Sequence, residues 1–180
     1  VFWSTVEKTA LADAEVEYKD HTSNTIYVAF KIKESKQDFL KDASVIIWTT
    51  TPWTIPANKA LAFNSSIEYS VIEISELENF KEKKIVVATN LISSIAKICE
   101  VEKFKILKTF KGKDFAGTIC SHPFIQMDFG YDVPMLDADF VNLDQGTGIV
   151  HCAPSHGPDD FNLCLKNNIP SLYTLSLIHI

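Results

Sequence analysis

The sequence predicts a mainly β fold with a few peripheral helices, built around a barrel-like sheet. Three observations carry this expectation. Short apolar or alternating runs recur between turn residues, only two segments show helical signals, and the composition can fill a core. Of the 180 residues, 46% are hydrophobic and 22% charged, which suits a folded domain and not a disordered chain. The length fits one domain, or one large module of something bigger.

The elements follow in order. Thr25 to Lys33 alternates, with Ile26, Val28, Phe30 and Ile32 on one face, the period of two of a half-buried strand. Val45 to Thr50 is a short continuous apolar run and reads as a buried strand. Tyr69 to Ile74, Ile85 to Ala88 and Phe104 to Leu107 are further strand candidates. Asn90 is placed to cap a helix reaching Glu100, with Leu91, Ile95, Ile98 and Cys99 at helical spacing. Ser155 to Pro158, followed by Asp159 and Asp160, reads as a helix start. Proline suits the first turn, and acids there meet the positive end of the helix dipole.

Charge excludes some functions. The net charge is −6, and every one of the 17 basic residues is a lysine. An acidic chain without arginine is a poor reader of duplex DNA, because arginine makes the commonest bidentate base contacts. Lys81 to Lys113 holds nine lysines against three acids, whereas Asp114 to Asp160 holds eight acids and no lysine. The basic stretch reads as a solvated face, or as a modest phosphate-contacting surface. No apolar run approaches the ~18–20 residues of a membrane span, so no membrane partner is expected. No basic stretch followed by an apolar core opens the chain, so no signal peptide is expected. Cys99, Cys120, Cys152 and Cys164 form no C-x-x-C pair and read as small buried hydrophobes in a reduced compartment. The spacing of His151, Cys152, His156 and Cys164 matches no zinc pattern, so no metal and no cofactor are expected.

Two segments stand out. In Trp48-Thr49-Thr50-Thr51-Pro52-Trp53-Thr54-Ile55-Pro56-Ala57-Asn58, three hydroxyls follow the end of a buried strand. They offer uncharged donors and acceptors on a backbone stiffened by Pro52 and Pro56. Two tryptophans can wall a small pocket. The plainer alternative is a β-branched strand end with core tryptophans. The second segment runs from Gly146-Thr147-Gly148 through His151 to Asp159 and Asp160. It packs a tight turn, a strand end and a helix start together, bringing an imidazole and carboxylates into one crevice. The plainer alternatives are a hydrogen-bonded core histidine and a helix-dipole partner. A Ser155-His151-Asp160 triad has only sequence proximity in its favour. The G-x-S-x-G elbow, the P-loop, H-E-x-x-H and a full G-x-G-x-x-G are absent.

Together these segments resemble the editing domain inserted in isoleucyl-tRNA synthetases. The opening, Val1-Phe2-Trp3-Ser4 through Thr9 to Tyr18, is similar to that family's lead into the domain. The resemblance covers most of residues 1 to 168. The related valyl and leucyl enzymes have T-T-R-P where this chain has Thr49-Thr50-Thr51-Pro52, and no arginine exists here. The family's two ATP-site signatures are missing, so the chain resembles the editing insert alone. The expected unit is residues 1–170, with 171–180 an off-pattern tail.

What the resemblance implies is a closed β-barrel core of the valyl, isoleucyl and leucyl editing type, and hydrolysis of valyl-tRNA for isoleucine and of valyl-adenylate. Thr49, Thr50, Thr51, His151 and Asp160 become the candidate catalytic residues. Asp160 would meet the substrate's ammonium group, His151 would limit side-chain size, and the threonines would hold water and ester oxygens. Trp53, Asn58, Gly146, Thr147 and Gly148 become the candidate substrate-binding residues. The implied partners are the 3′-terminal aminoacyl-adenosine of isoleucine tRNA, valyl-adenylate and the rest of the synthetase in cis. The implied compartment is the cytoplasm, or an organelle. A non-catalytic tRNA- or aminoacyl-adenosine-binding module, or editing for a valyl or leucyl enzyme, are the alternatives.

Overall fold

A computed structural model of the chain describes residues 1–74, 82–101, 103–127 and 129–172. Strands β1 (Phe2–Ser4) and β2 (Thr9–Leu11) form a small antiparallel pair of their own. The other strands are β3 (Ile26–Glu34), β4 (Ser44–Thr49), β5 (Ala60–Phe63), β6 (Glu68–Ile74), β7 (Lys84–Ala88), β8 (Phe104–Lys111), β9 (Ile119–Ser121), β10 (Asp132–Asp137) and β11 (Val150–Cys152). They join in one sheet of order β11-β5-β10-β9-β3-β4-β7-β6-β8. Most neighbours are antiparallel, but β4 with β7 and β10 with β5 are parallel.

The sheet curls around one apolar cluster. Phe30, Val45, Ile47, Leu61, Phe63, Val86, Phe110, Phe115 and Val133 meet there. In β4, Val45 and Ile47 point into this cluster, while Ile46 points to a second one with Val87, Ile92 and Ile95. Burial on both faces explains why this strand reads as a continuous apolar run. The second cluster is where helix α1 (Ile92–Ile98) lies on the sheet. Helix α2 (Pro158–Lys166) covers the other flank, packing Leu163 and Cys164 on Ala60, Ala62 and Cys152. Alanines at alternate positions of β5 leave room for that helix to sit close.

Three expectations need correction. The sheet curls but does not close into a barrel: among the described residues β11 and β8 end the order unpaired with each other. Closure needs two edge strands to share a ladder. Here β11 has only three residues before Ala153 and Pro154, and proline cannot donate to a ladder. Ala88 N–H donates to Thr147 O at 2.8 Å and ties the end of β7 to the turn before β11. Asn90 caps no helix. It sits inside a 3-10 turn, Thr89–Leu91, and α1 follows with Leu91 at its cap position and no side-chain cap bond. The strand expected to stop at Leu107 continues to Lys111. The expected tail falls outside the described residues from position 173 onward.

Candidate functional site

The end of β4, a 3-10 segment and the β11–α2 connection enclose a cleft of about 370 Å³. Thr49, Thr50, Thr51, Trp53, His151 and Asp160 all line it, together with Trp48, Thr54 and His156. The sequence places these groups about a hundred residues apart. They meet because β5 lies between the two segments in space: it follows the 3-10 segment directly and pairs with β11 through His151 opposite Leu61.

The 3-10 segment, Pro52–Ala57, explains the threonine geometry. Pro52 and Pro56 carry no N–H, so a regular α-helical ladder cannot form there. The backbone bonds are of the 3-10 kind, Thr54 N–H to Thr51 O and Asn58 N–H to Ile55 O, both at 3.0 Å, and side chains add to them. Thr51 N–H donates to Thr49 Oγ1 at 3.1 Å, and the Thr49 and Thr51 hydroxyls are 3.2 Å apart. Thr54 Oγ1 donates to Thr51 O at 2.8 Å. Thr50 is the exposed member of the run. Trp53 is 69% exposed, so it forms an open wall and is no core tryptophan.

His151 is held at both ring nitrogens. Nε2 lies 2.8 Å from Thr54 Oγ1, and Nδ1 lies 2.9 Å from Asn58 Nδ2. The hydroxyl proton of Thr54 is spent on Thr51 O, so Nε2 carries the proton and donates to Thr54. Nδ1 then accepts from the Asn58 amide, whose other proton goes to Ala60 O at 2.9 Å. Turning the amide over would set Asn58 Oδ1 against the Ala60 carbonyl, acceptor to acceptor. Among the described residues Oδ1 finds no partner. Burial, then the nearby His156 and His122, lower the His151 pKa to about 4, so the ring is neutral at pH 7.

Asp160 stands in the first turn of α2, behind Gly157 at the cap position and Pro158. Its Oδ2 accepts from Ala153 N–H at 2.8 Å. Burial raises its pKa, and the Ala153 bond opposes that rise. The carboxylate is thus fixed at one oxygen and borders the cleft. No Ser155-His151-Asp160 triad forms: Ser155 Oγ donates to Leu172 O, and both His151 nitrogens are engaged.

The remaining candidates lie behind the cleft. Asn58 is fully buried and touches His151 from the rear. Gly146, Thr147 and Gly148 do not line the cleft. Thr147 Oγ1 bonds the Ile149 backbone, and Gly148 O accepts from the buried Tyr69 hydroxyl at 2.7 Å. Gly148 has φ +75°, and a Cβ there would sit 2.4 Å from Ala88 Cβ. These are the marks of a turn pressed against β7. Thr54 was not among the sequence candidates. It sits inside the first motif, but its role depends on a histidine 97 positions away. The four cysteines are free, and burial pushes the Cys120 thiol up to about 12 and the Cys164 thiol up to about 11. Among the described residues, no group of three or more His, Cys, Asp or Glu is arranged to hold a metal ion, and no helix is long and apolar enough to cross a membrane.

No protein-family model matches the chain. Curated relatives do. The isoleucine–tRNA ligase of Pelagibacter ubique is 62% identical over 175 residues, covering 97% of this chain. The chain belongs to the isoleucine–tRNA ligase family. The ligase of Gluconobacter oxydans is 47% identical across 94% of the chain. The chain spans only 19% and 18% of these two ligases, so it corresponds to one segment of them. Solved structures show which fold that segment has. The editing domain of the P. knowlesi cytosolic leucyl-tRNA synthetase superposes with a TM-score of 0.62 at 15% identity, over 79% of this chain and 60% of that one. The P. falciparum counterpart gives 0.55 at 18%, over 70% and 48%. This segment of an isoleucine–tRNA ligase therefore has the synthetase editing-domain fold.

Proposed function

We propose that the cleft hydrolyses the ester joining valine to the terminal adenosine of isoleucine tRNA, and clears valyl-adenylate, in cis with the rest of the synthetase. The observation that carries this reading is the pairing, in one cleft of about 370 Å³, of a fixed carboxylate with a strand end of threonine hydroxyls. Such a site is needed because one methylene in an apolar pocket is worth only ~1–3 kcal/mol, a rule for which the isoleucyl enzyme is itself the standard worked case. A second site must then remove what the first cannot exclude.

Each group has a part. Asp160 accepts a charge-assisted bond from the substrate's α-ammonium group and so selects an aminoacyl ligand. The threonine hydroxyls, with Thr50 the most open, donate to the ester oxygens and hold the attacking water. His151 is neutral, with Nε2–H donated to Thr54 and Nδ1 filled by Asn58. It therefore serves as a rigid stop and not as the base. With Trp53 it bounds the space for the side chain, and isoleucine's extra methylene is excluded. Water adds to the acyl carbon, the ribose oxygen leaves, and the water proton reaches that oxygen through the vicinal ribose hydroxyl. Catalysis is positioning plus stabilisation of the oxyanion.

The test compares deacylation of valyl- and isoleucyl-tRNA by this chain. Valyl-tRNA is expected to be cleared faster, and equal rates on the two sink the size sieve. A non-hydrolysable valyl-adenosine analogue is expected between Thr50 and Asp160; an analogue that does not bind at millimolar concentration favours a purely structural role for the cleft.

A further inference from the structure

We infer that His122 and Tyr131, which touch no part of the cleft, are positioning residues that set His151 by gripping the 3-10 segment from behind. The inference rests on the editing role proposed for the cleft and adds two residues from a different part of the chain.

His122 is 1% exposed. Its Nδ1 lies 3.1 Å from Phe124 N, a donor, and its Nε2 lies 2.9 Å from Ile55 O, an acceptor. Only the neutral tautomer with the proton on Nε2 satisfies both. The ring cannot slide, because Phe129 stacks on it at 5.2 Å and Phe30 meets it edge-on at 6.2 Å. Tyr131 adjoins the same ring at 5.1 Å. Its single hydroxyl proton is shared between two carbonyls, mainly Asn58 O at 2.7 Å and more weakly Pro56 O at 3.2 Å. The Lys59 ammonium lies 3.7 Å above the Tyr131 ring, which holds the phenol in place from its other side.

The three gripped carbonyls belong to Ile55, Pro56 and Asn58. They lie within the segment whose ends, Thr54 and Asn58, clamp the two nitrogens of His151. Ile55 O already accepts from Asn58 N–H at 3.0 Å, whereas the Lys59 N–H that would face Pro56 O goes to Cys152 O at 2.9 Å, so the outward-facing carbonyls take partners from elsewhere in the chain. The aromatic cluster supplies them. The chain of contact therefore runs from the β9–β10 connection, through the rear of the 3-10 segment, to the ring that would stop an oversized side chain. A sieve that tells isoleucine from valine by one methylene tolerates little movement of that stop, since a displacement of about 1 Å can cost ~10²-fold.

Tyr131→Phe tests this, because it deletes one hydroxyl and keeps the ring against His122 and Lys59. The expected result is a fall of roughly tenfold in kcat on valyl-tRNA with KM within about twofold, and a narrowed valyl-over-isoleucyl ratio. The side-chain ¹⁵N resonances of His151, in ¹⁵N-histidine-labelled chain, are expected to shift. The resonance shift does not depend on the editing role, so the two claims can fail separately. If the parent chain does not deacylate valyl-tRNA but the His151 resonances move, the positioning stands and the editing role falls. If the parent chain deacylates and the variant keeps its kcat, its ratio and its His151 resonances, the positioning claim is overturned. A loss of rate that only follows the folded fraction, with unmoved His151 resonances, also overturns it.

Discussion

Thr54→Val exposes the logic of the cleft in one substitution. Valine keeps the branched shape, so the change opens no hole. It removes the hydroxyl that accepts from His151 Nε2–H and donates to Thr51 O. His151 is 9% exposed, so its N–H is left with little access to water. An orphaned buried donor costs about 1–3 kcal/mol. For a domain of this size, each kcal/mol moves the melting midpoint by about 2–4 °C, so a fall of roughly 2–12 °C is expected. Thr54→Ser keeps both bonds and should lose less than about 1 kcal/mol, the share of one methyl group. Thermal melts followed by far-UV circular dichroism, checked for a single transition, read both variants. If Thr54→Val melts within a degree of the parent while Thr54→Ser falls, the hydroxyl is not holding His151 and the tautomer argued above is wrong.

Other expectations follow from the same geometry. Asp160→Asn keeps an oxygen for Ala153 N–H but loses the charge; the fold should persist by circular dichroism, while valyl-tRNA deacylation falls about 10–150-fold, the worth of a hydrogen bond to a charged group. Retained activity would remove Asp160 from the ammonium site. Gly148→Ala should cost about 2–5 kcal/mol, because a left-handed backbone and a clash with Ala88 add. Gly146→Ala, with φ +80° but only Trp48 at 3.5 Å, should cost about 1–2; equal denaturant midpoints for the two would refute the packed-turn reading. Acid should weaken the fold through its neutral histidines. With His151 at about 4 when folded and near 6.5 when unfolded, the unfolded chain binds the extra proton. Stability is full above pH 6.5 and declines toward pH 4, by about 3 kcal/mol for this residue. His122, also lowered by burial, adds to the loss. Asp160, raised above 3.8, works in the opposite sense just above that pH. Urea midpoints that stay flat between pH 7 and 4.5 would contradict this account.

Residue patterns announced some parts and hid others. The run at Val45 to Ile47 is legible because β4 buries both faces, and Pro158-Asp159-Asp160 is legible because a helix start has its own chemistry. The Ala60–Phe63 strand leaves no signal in the sequence. Four residues give no period, and its partners β10 and β11 lie far along the chain. Strand β10 carries Pro134, which ordinarily argues against a strand. Its pairing with β9 and then with β5 tolerates the missing N–H at that point. Asn90 carried a valid capping signal, but the 3-10 turn took the position where a cap would act. In the site, Thr49 to Thr51, His151 and Asp160 were visible as residue types. Thr54, His122 and Tyr131 were not, because what they do is defined by carbonyls and ring nitrogens from other parts of the chain.

The placement of β5 beside β11 has a consequence for how the protein is made. The bonds that fix His151 join residues 93 and 97 positions apart. At a synthesis rate of about 5–20 residues per second, roughly 5–20 s pass between the making of Asn58 and of His151. During that interval the threonine strand end and the prolines behind it exist without their opposite wall. Such distant pairing must meet the entropy of closing a long loop before any contact compensates it. The cleft therefore cannot assemble before α2 is made, and a nascent chain released earlier carries the hydroxyls but has no carboxylate facing them.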